Sequence, residues 1–349
     1  MSANSQIEWT DCTWNPVTGC DKVSPGCRFC YAESTANWLK RMGQPNYDKG
    51  FNLTLHPTSL HRPFKWTKPR RIFVNSMSDL FHEKVPIDFI YEVFCTMNQC
   101  SHHTFQILTK RSKRLLDLSP ELPWAPNIWM GVSIESEDFL SRIDHLRQCN
   151  AQIRFLSLEP LLGPLAKLDL KEIDWLIVGG ESGPNARSVE VEWVREIRDQ
   201  CLAAGVPHFF KQWGRLSNNP DETDPTAKEN GGRAKGGRLL DGRTWDEMPP
   251  IESQSPAPSN GKESPFVVHC RRAKCDVYVG RPSKWGNPFK IGLDGTREEV
   301  IHKYRTWLLE ERPDLVAAAK EELKDKILGC WCAPKPCHGD VLSEIANRE

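Results

Sequence analysis

Three cysteines, Cys20, Cys27 and Cys30, fall within residues 19–33, with six residues between the first two and two between the last two. Gly19, Pro25 and Gly26 make this stretch a loop. Residues 31 to about 41 behind it have helical composition that ends at Gly43. The thiols therefore lie on a loop feeding a helix N-terminus, where partial positive charge is expected to favour thiolate. Three thiolates from one loop can hold three corners of a cubic iron–sulfur cluster; a fully ligated cluster takes four. The iron left open would bind a small ligand, the mark of a metal that does chemistry. Structural zinc is the main alternative. It wants four closed ligands, and Asp21 and Glu33 are poor completions of a soft site. Unligated thiols are the third reading. A disulfide framework fits neither an odd count of 13 cysteines nor a chain of 349 residues.

The elements that must position this loop follow from the apolar pattern. Short strands are expected at 7–10, 71–76, 104–109, 128–134, 154–158, 175–178 and 208–211. Helices are expected at 86–99, from 110 to about 118, from 135 to about 148, and at 191–204. Near-continuous apolar strands alternating with helices predict a parallel α/β sheet. Ligands of such sheets gather at the carboxyl ends of the strands. Polar residues collect at those ends here: Ser76, Ser78 and Asp79; Thr109 and Lys110; Ser133 and Glu135; Glu159; Glu181 and Ser182; Lys211 and Gln212. The expected fold class is thus α/β, a full or partial (β/α) TIM-like barrel with one polar mouth containing the metal, followed by a small C-terminal α/β domain.

Each candidate also has a plainer role. Lys110 and Arg111 fit a solvated helix start, and Glu135 fits a helix N-terminal carboxylate. Residues 179–181, Gly-Gly-Glu, fit a tight strand-to-helix turn. Asp79 reads as functional, because a carboxylate in a barrel mouth needs a partner. Cys95, Cys100, Cys149 and Cys201 lie in helical patterns and read as core or surface thiols.

Phe29 before Cys30, and Tyr31-Ala32-Glu33 after it, resemble the cluster loop of radical S-adenosylmethionine enzymes. The six-residue first gap departs from the three-residue gap common in that superfamily. With the entry sequence Ile7-Glu8-Trp9-Thr10 and residues 14–20, it resembles a phage-type family of unknown function over roughly residues 5–249. Residues 75–81 and 108–110 look like the spore-photoproduct-lyase-like branch. The resemblance implies a [4Fe-4S] cluster on Cys20, Cys27 and Cys30. It places S-adenosylmethionine against Ser76, Ser78 and Asp79 and marks Lys110; Glu135, from its place at a strand end, joins Lys110 as a catalytic candidate. Reductive cleavage of S-adenosylmethionine would give a 5′-deoxyadenosyl radical. An electron donor such as flavodoxin or ferredoxin, and a nucleic acid or nucleotide substrate undergoing modification or repair, are implied with it. The rival function is a zinc-stabilised nucleic-acid-binding protein without radical chemistry.

Lys plus Arg and Asp plus Glu both number 46, so no global field draws the chain to nucleic acid or anionic lipid. No apolar run approaches the ~18 residues of a membrane span, and no signal-peptide pattern opens the chain. A cytoplasmic, non-membrane protein is the expectation. Composition divides the chain into a barrel domain at 1–249, a linker at 250–264 and a small α/β domain at 265–349. The last resembles a small domain of unknown function found alone or fused in phage and bacterial proteins. Cys330, Cys332, Cys337 and His338 there offer four soft ligands within nine residues. Zinc is one option, although the spacing is tight for closure by all four. A buried or reactive cluster beside a helix start is the other. Arg281, Lys284 and Asn287 on a Gly/Pro loop suit either a phosphate or a solvated turn.

Overall fold

The structure, a computed structural model, describes residues 5, 7–183, 185–230, 233–250, 267–270, 275–289, 291, 294–333 and 336–347. The chain forms two compact units, residues 1–254 and 255–349. The expected linker at 250–264 lies, Pro250 apart, outside the described residues.

The first unit is a curled seven-stranded parallel sheet, a half-barrel whose strands pair in chain order. They are β1 (Cys12–Trp14), β2 (Arg71–Val74), β3 (Thr104–Thr109), β4 (Ile128–Ser133), β5 (Ile153–Leu158), β6 (Trp175–Gly179) and β7 (His208–Gln212). The helices are α1 (Tyr31–Arg41), α2 (Ile87–Gln99), α3 (Ser112–Leu118), α4 (Ser141–Arg147) and α5 (Val191–Ala204). The barrel is therefore partial. The first strand is displaced from expectation: residues 7–9 form a turn, and β1 begins at Cys12. The helix expected from Glu135 is also shorter, a 3-10 turn at Glu137–Phe139 followed by α4.

Strand alternation explains the two cores. Ile72, Val74, Phe105, Ile107, Met130, Val132, Leu156, Leu158, Leu176 and Val178 join the helix-side core. Their sequence neighbours point into the concave face, where Trp9, Phe73, Trp129, Phe155, Trp175, Ile177 and Phe209 make a second buried cluster. Trp175 is its centre, with ring centroids of Trp9, Trp129, Phe155 and Phe209 between 5.5 and 6.1 Å away. Its indole N–H donates to the Glu247 carbonyl at 2.9 Å, so its one polar atom is satisfied. Gly131 makes room for this packing: a Cβ there would lie 2.4 Å from the Phe155 ring. These aromatics sit toward the amino ends of the strands. Toward the carboxyl ends the same face carries Ser133, Ser157 and Lys211, so the bowl is plugged at one end and polar at the other.

The second unit holds a three-stranded parallel sheet, β8 (Val267–His269), β10 (Leu328–Cys330) and β9 (Val277–Tyr278), in that spatial order. Helices α6 (Arg297–Glu311), α7 (Pro313–Glu322) and α8 (His338–Asn347) pack with it around Tyr304, Leu308, Leu328 and Leu342. Thr296 and Glu299 form a reciprocal capping box at the start of α6. Among the described residues, no helix is long and apolar enough to cross a membrane.

Candidate metal centre

The cysteine loop begins just beyond β1 and is fastened to the turn after β2. Gly19 N–H donates to the Met77 carbonyl at 3.0 Å, and the Ser78 hydroxyl donates to the Gly19 carbonyl at 2.5 Å. The turn is shaped by Asn75, a non-glycine residue with φ of 61°. Its side-chain carbonyl accepts the Val17 N–H at 3.2 Å, which offsets part of the cost of that conformation. Ser76 donates to Asn15 Oδ1 at 3.1 Å, and its own carbonyl accepts the Tyr31 hydroxyl at 2.5 Å.

Three charged side chains from three further strand ends hold the loop. After β3, the Arg111 guanidinium reaches Cys20 Sγ at 3.4 Å, the Asp21 carbonyl at 3.1 Å and Asp79 Oδ2 at 3.2 Å. After β4, the fully buried Glu135 accepts the Ser24 hydroxyl on one oxygen and Arg142 Nη1 at 2.8 Å on the other. Gly26 touches that carboxylate so closely that a Cβ would lie 2.5 Å from Oε1. After β6, Arg187 is oriented by the buried Glu181 and donates to the Pro25 carbonyl at 3.0 Å.

The three thiols are half-buried and free. Burial, followed by the nearby Asp79 carboxylate, pushes the Cys20 thiol up to about 11, with Arg111 acting in the opposite direction. This corrects the expectation that the helix N-terminus favours thiolate across the loop. Cys30 alone occupies the N-cap of α1, and Cys20 lies ten residues earlier beside a carboxylate. Arg111 places a hydrogen-bond donor against Cys20 Sγ; Ser24 Oγ, whose one proton goes to Glu135, lies 3.7 Å from Cys27 Sγ and can accept from that thiol. Among the described residues, the three ligand atoms found within 4.8 Å of one another are those of Cys330, Cys337 and His338; the loop thiols do not form such a set. A single tetrahedral zinc would hold its sulfurs about 3.8 Å apart. Half-buried thiols, more widely set and with Arg111 donating to one of them, fit a multi-iron cluster, whose thiolates accept such hydrogen bonds.

The other candidates are placed as follows. Asp79 is buried and its carboxylate is fully engaged: Oδ1 by Thr109 Oγ1 at 2.7 Å and Phe81 N–H, Oδ2 by Lys110 N–H and Arg111. Lys110 Nζ lies 3.8 Å from Glu135 Oε1, so these two are brought together. Glu135 precedes the shortened helix and does not cap it. Arg111 is buried, not the solvated helix start its composition fits. Glu159 and Lys211 pair at 2.5 Å across β5 and β7. Sequence reasoning passed over Ser24, Asn15 and Arg187, whose contacts with Glu135, Ser76 and Pro25 span 111, 61 and 162 residues, and Arg142, which holds Glu135 seven residues away. Phe29, partly exposed, has the guanidinium groups of Arg28 and Arg187 at 5.1 and 5.6 Å from its ring centroid. On α1, Tyr31 and Trp38 are about half exposed, at 51% each.

A family model described as "Protein of unknown function (DUF5131)" matches residues 4–249, and one described as "Domain of unknown function (DUF4326)" matches residues 268–348. The chain is 36% identical over 85 residues to an uncharacterized 12.4 kDa protein of the nrdA-td intergenic region of Enterobacteria phage T4, covering 24% of this chain and 77% of that one. It is 35% identical over 106 residues to an uncharacterized protein of Acanthamoeba polyphaga mimivirus, covering 24% and 79%. Among solved structures it is similar to spore photoproduct lyase complexed with dinucleoside spore photoproduct, with a TM-score of 0.33 and 14% identity, over 63% of this chain and 66% of that one. A cysteine-to-serine mutant of that lyase aligns with a TM-score of 0.38 and 12% identity over 67% and 70%.

Proposed function

The chain belongs to the DUF5131 family of unknown function, and we propose that it is a radical S-adenosylmethionine-type enzyme acting on a nucleic acid or nucleotide. One observation carries the reading: three half-buried thiols sit on a loop clamped by Arg111, Glu135 and Arg187 over the polar carboxyl ends of a parallel sheet. Cys20, Cys27 and Cys30 would hold a [4Fe-4S] cluster. Bound together with S-adenosylmethionine, it would supply the electron for reductive cleavage to a 5′-deoxyadenosyl radical.

The protein's own part is positioning and exclusion of water. Arg111 offsets the negative charge that builds up on Cys20, and Asp79 holds Arg111 in place. Glu135, held by Arg142, fixes the loop through Ser24. Ser76 and Ser78 border the cofactor side of the mouth. Lys110 offers a cation, 20% exposed, to an anionic group of cofactor or substrate. The aromatic plug closes the bowl behind the site and shields a reactive species from solvent. Phe29 near two guanidinium groups, with exposed Tyr31 and Trp38 on the helix that ends in Lys40 and Arg41, is the aromatic and basic combination that stacks nucleobases. A flavodoxin or ferredoxin would serve as electron donor.

The test is anaerobic reconstitution with iron and sulfide, then reduced-state electron paramagnetic resonance with and without S-adenosylmethionine. A cluster signal that shifts on adding S-adenosylmethionine, with 5′-deoxyadenosine formed and both lost in Cys27→Ala, is expected. A colourless protein with stoichiometric zinc on the loop cysteines would overturn the proposal.

A further inference from the structure

The second unit carries its own cluster of soft ligands, independent of the loop cysteines. Cys330 ends β10, and Cys337 and His338 stand at the start of α8. All three are buried, and their ligand atoms lie within 4.8 Å of one another. The parallel sheet and the helix packed behind it bring the two sequence segments together. Half-buried Cys332 adjoins them: its N–H donates to Cys330 Sγ at 3.4 Å, and its thiol interacts with those of Cys330 and Cys337.

The histidine is prepared for one role. His338 Nε2 lies 2.8 Å from the Val279 carbonyl, which can only accept, so Nε2 carries the proton. The lone pair is then on Nδ1, with its orientation set by a backbone carbonyl as in metal-ligating histidines. The sulfurs are supplied with donors as well, since Gly339 N–H reaches Cys337 Sγ at 3.3 Å. Asp340 accepts the Cys337 N–H at 2.7 Å and holds the turn between the last two ligands. A cavity of about 290 Å³ opens beside the cluster, and Arg281 and Arg297 line it. Three thiolates around a divalent ion leave one net negative charge, which these guanidinium groups would offset.

We propose that Cys330, Cys332, Cys337 and His338 Nδ1 bind one zinc ion tetrahedrally, with three ligands buried and Cys332 on the cavity side. Adjacent Cys337 and His338 do not prevent this, because the histidine ring reaches the site from the first turn of α8. Zinc would join β10 to α8 and stabilise the second unit by mass action on its folded state.

The experiment uses the full-length chain in a Cys20→Ala/Cys27→Ala/Cys30→Ala background, so that the N-terminal site cannot contribute. After chelation under reducing conditions, cobalt(II) is titrated in. One equivalent is expected to give the intense visible bands of a tetrahedral centre and near-ultraviolet thiolate-to-cobalt charge transfer, displaced by one equivalent of zinc. Cys332→Ser should remove about a third of the charge-transfer intensity, one thiolate of three; Cys337→Ser should abolish the centre. Because Cys337→Ser also alters a buried core position and can unfold the unit, a second measurement uses the chain with no substitution. Zinc added to the chelated wild-type chain should raise the melting temperature of the second unit. A weak octahedral cobalt spectrum, a tetrahedral one that survives Cys330→Ser/Cys337→Ser, or no thermal shift with zinc would each overturn the proposal.

Discussion

Arg111 places its Nη1 3.4 Å from Cys20 Sγ while the same nitrogen holds Asp79 Oδ2 at 3.2 Å, so one buried cation serves a thiol and a carboxylate together. Removing it leaves Asp79 buried beside that sulfur with a neutral set of donors. Breaking a buried pair in this way costs about 3–5 kcal/mol. Arg111→Ala is expected to lose that much in chemical denaturation and to retain several-fold less iron after reconstitution. Arg111→Lys, which keeps the charge but loses the fork, should fall between the two.

Gly26 and Glu135 give a second test. A methyl group on Gly26 would meet the Glu135 carboxylate at 2.5 Å, and that side chain is fully buried and held by Arg142. Gly26→Ala is expected to push the loop off Glu135 and to lower iron content several-fold, with the melting temperature of the sheet little changed. Glu135→Asp withdraws the carboxylate by one methylene. The double variant Gly26→Ala/Glu135→Asp should therefore bind more iron than Gly26→Ala alone. Strict additivity of the two losses would show that the contact does not govern the loop.

Trp175 tests the plug. It is fully buried and its ring meets four other aromatic rings. Trp175→Ala is expected to cost about 3–5 kcal/mol, the range for deleting a large core aromatic. The measurement is the urea midpoint of the apo chain, which keeps cluster loss out of the reading.

His208 predicts acid sensitivity. Both ring nitrogens are buried without a hydrogen-bond partner among the described residues, and burial, followed by Arg198 and Arg243, pushes the imidazole down from 6.5 to about 3. The unfolded chain binds this proton below about pH 6.5 while the folded chain does not, so stability falls as pH drops from about 6.5 toward 3. At pH 5 the loss is about 2 kcal/mol. His208→Phe should flatten this part of the stability–pH profile; an unchanged profile would assign the sensitivity elsewhere.

Phe29 bears on the substrate. Stacking of one base on an aromatic ring is worth about 1–3 kcal/mol. Phe29→Ala is expected to weaken binding of a short single-stranded oligonucleotide by about tenfold or more, with iron content retained. Equal affinity in both proteins would remove this ring from the nucleic-acid path.

The parts of this fold that local rules govern were legible in the sequence. The alternation of apolar strands with helices marked α2 and α5 closely, and polar strand ends marked the mouth, because periodicity and turn chemistry act within a few residues. Thr296 and Glu299 cap α6 by chemistry that is equally local, three residues apart. The first strand was not legible. Trp9 has the composition of a strand residue, but the aromatic plug claims it, and pairing starts at Cys12. Arg111 resembled a solvated helix start because its partners, Cys20 and Asp79, are 91 and 32 residues away. The cysteine spacing was legible; the clamps around it depend on strand order and were not.

Those clamps also set a schedule for synthesis. Ser24 meets Glu135 across 111 residues, and Pro25 meets Arg187 across 162. At 5–20 residues per second, a ribosome needs roughly 8–30 s to add the ~160 residues between the loop and its last clamp. For that interval Cys20, Cys27 and Cys30 emerge as ordinary exposed thiols, open to oxidation and to stray metal. For the proposed cluster, this means that iron and sulfide would be delivered to a chain kept reduced until Arg187 has left the ribosome. Loading would then come late in biogenesis and not during translation of the cysteines, because of where the loop is held.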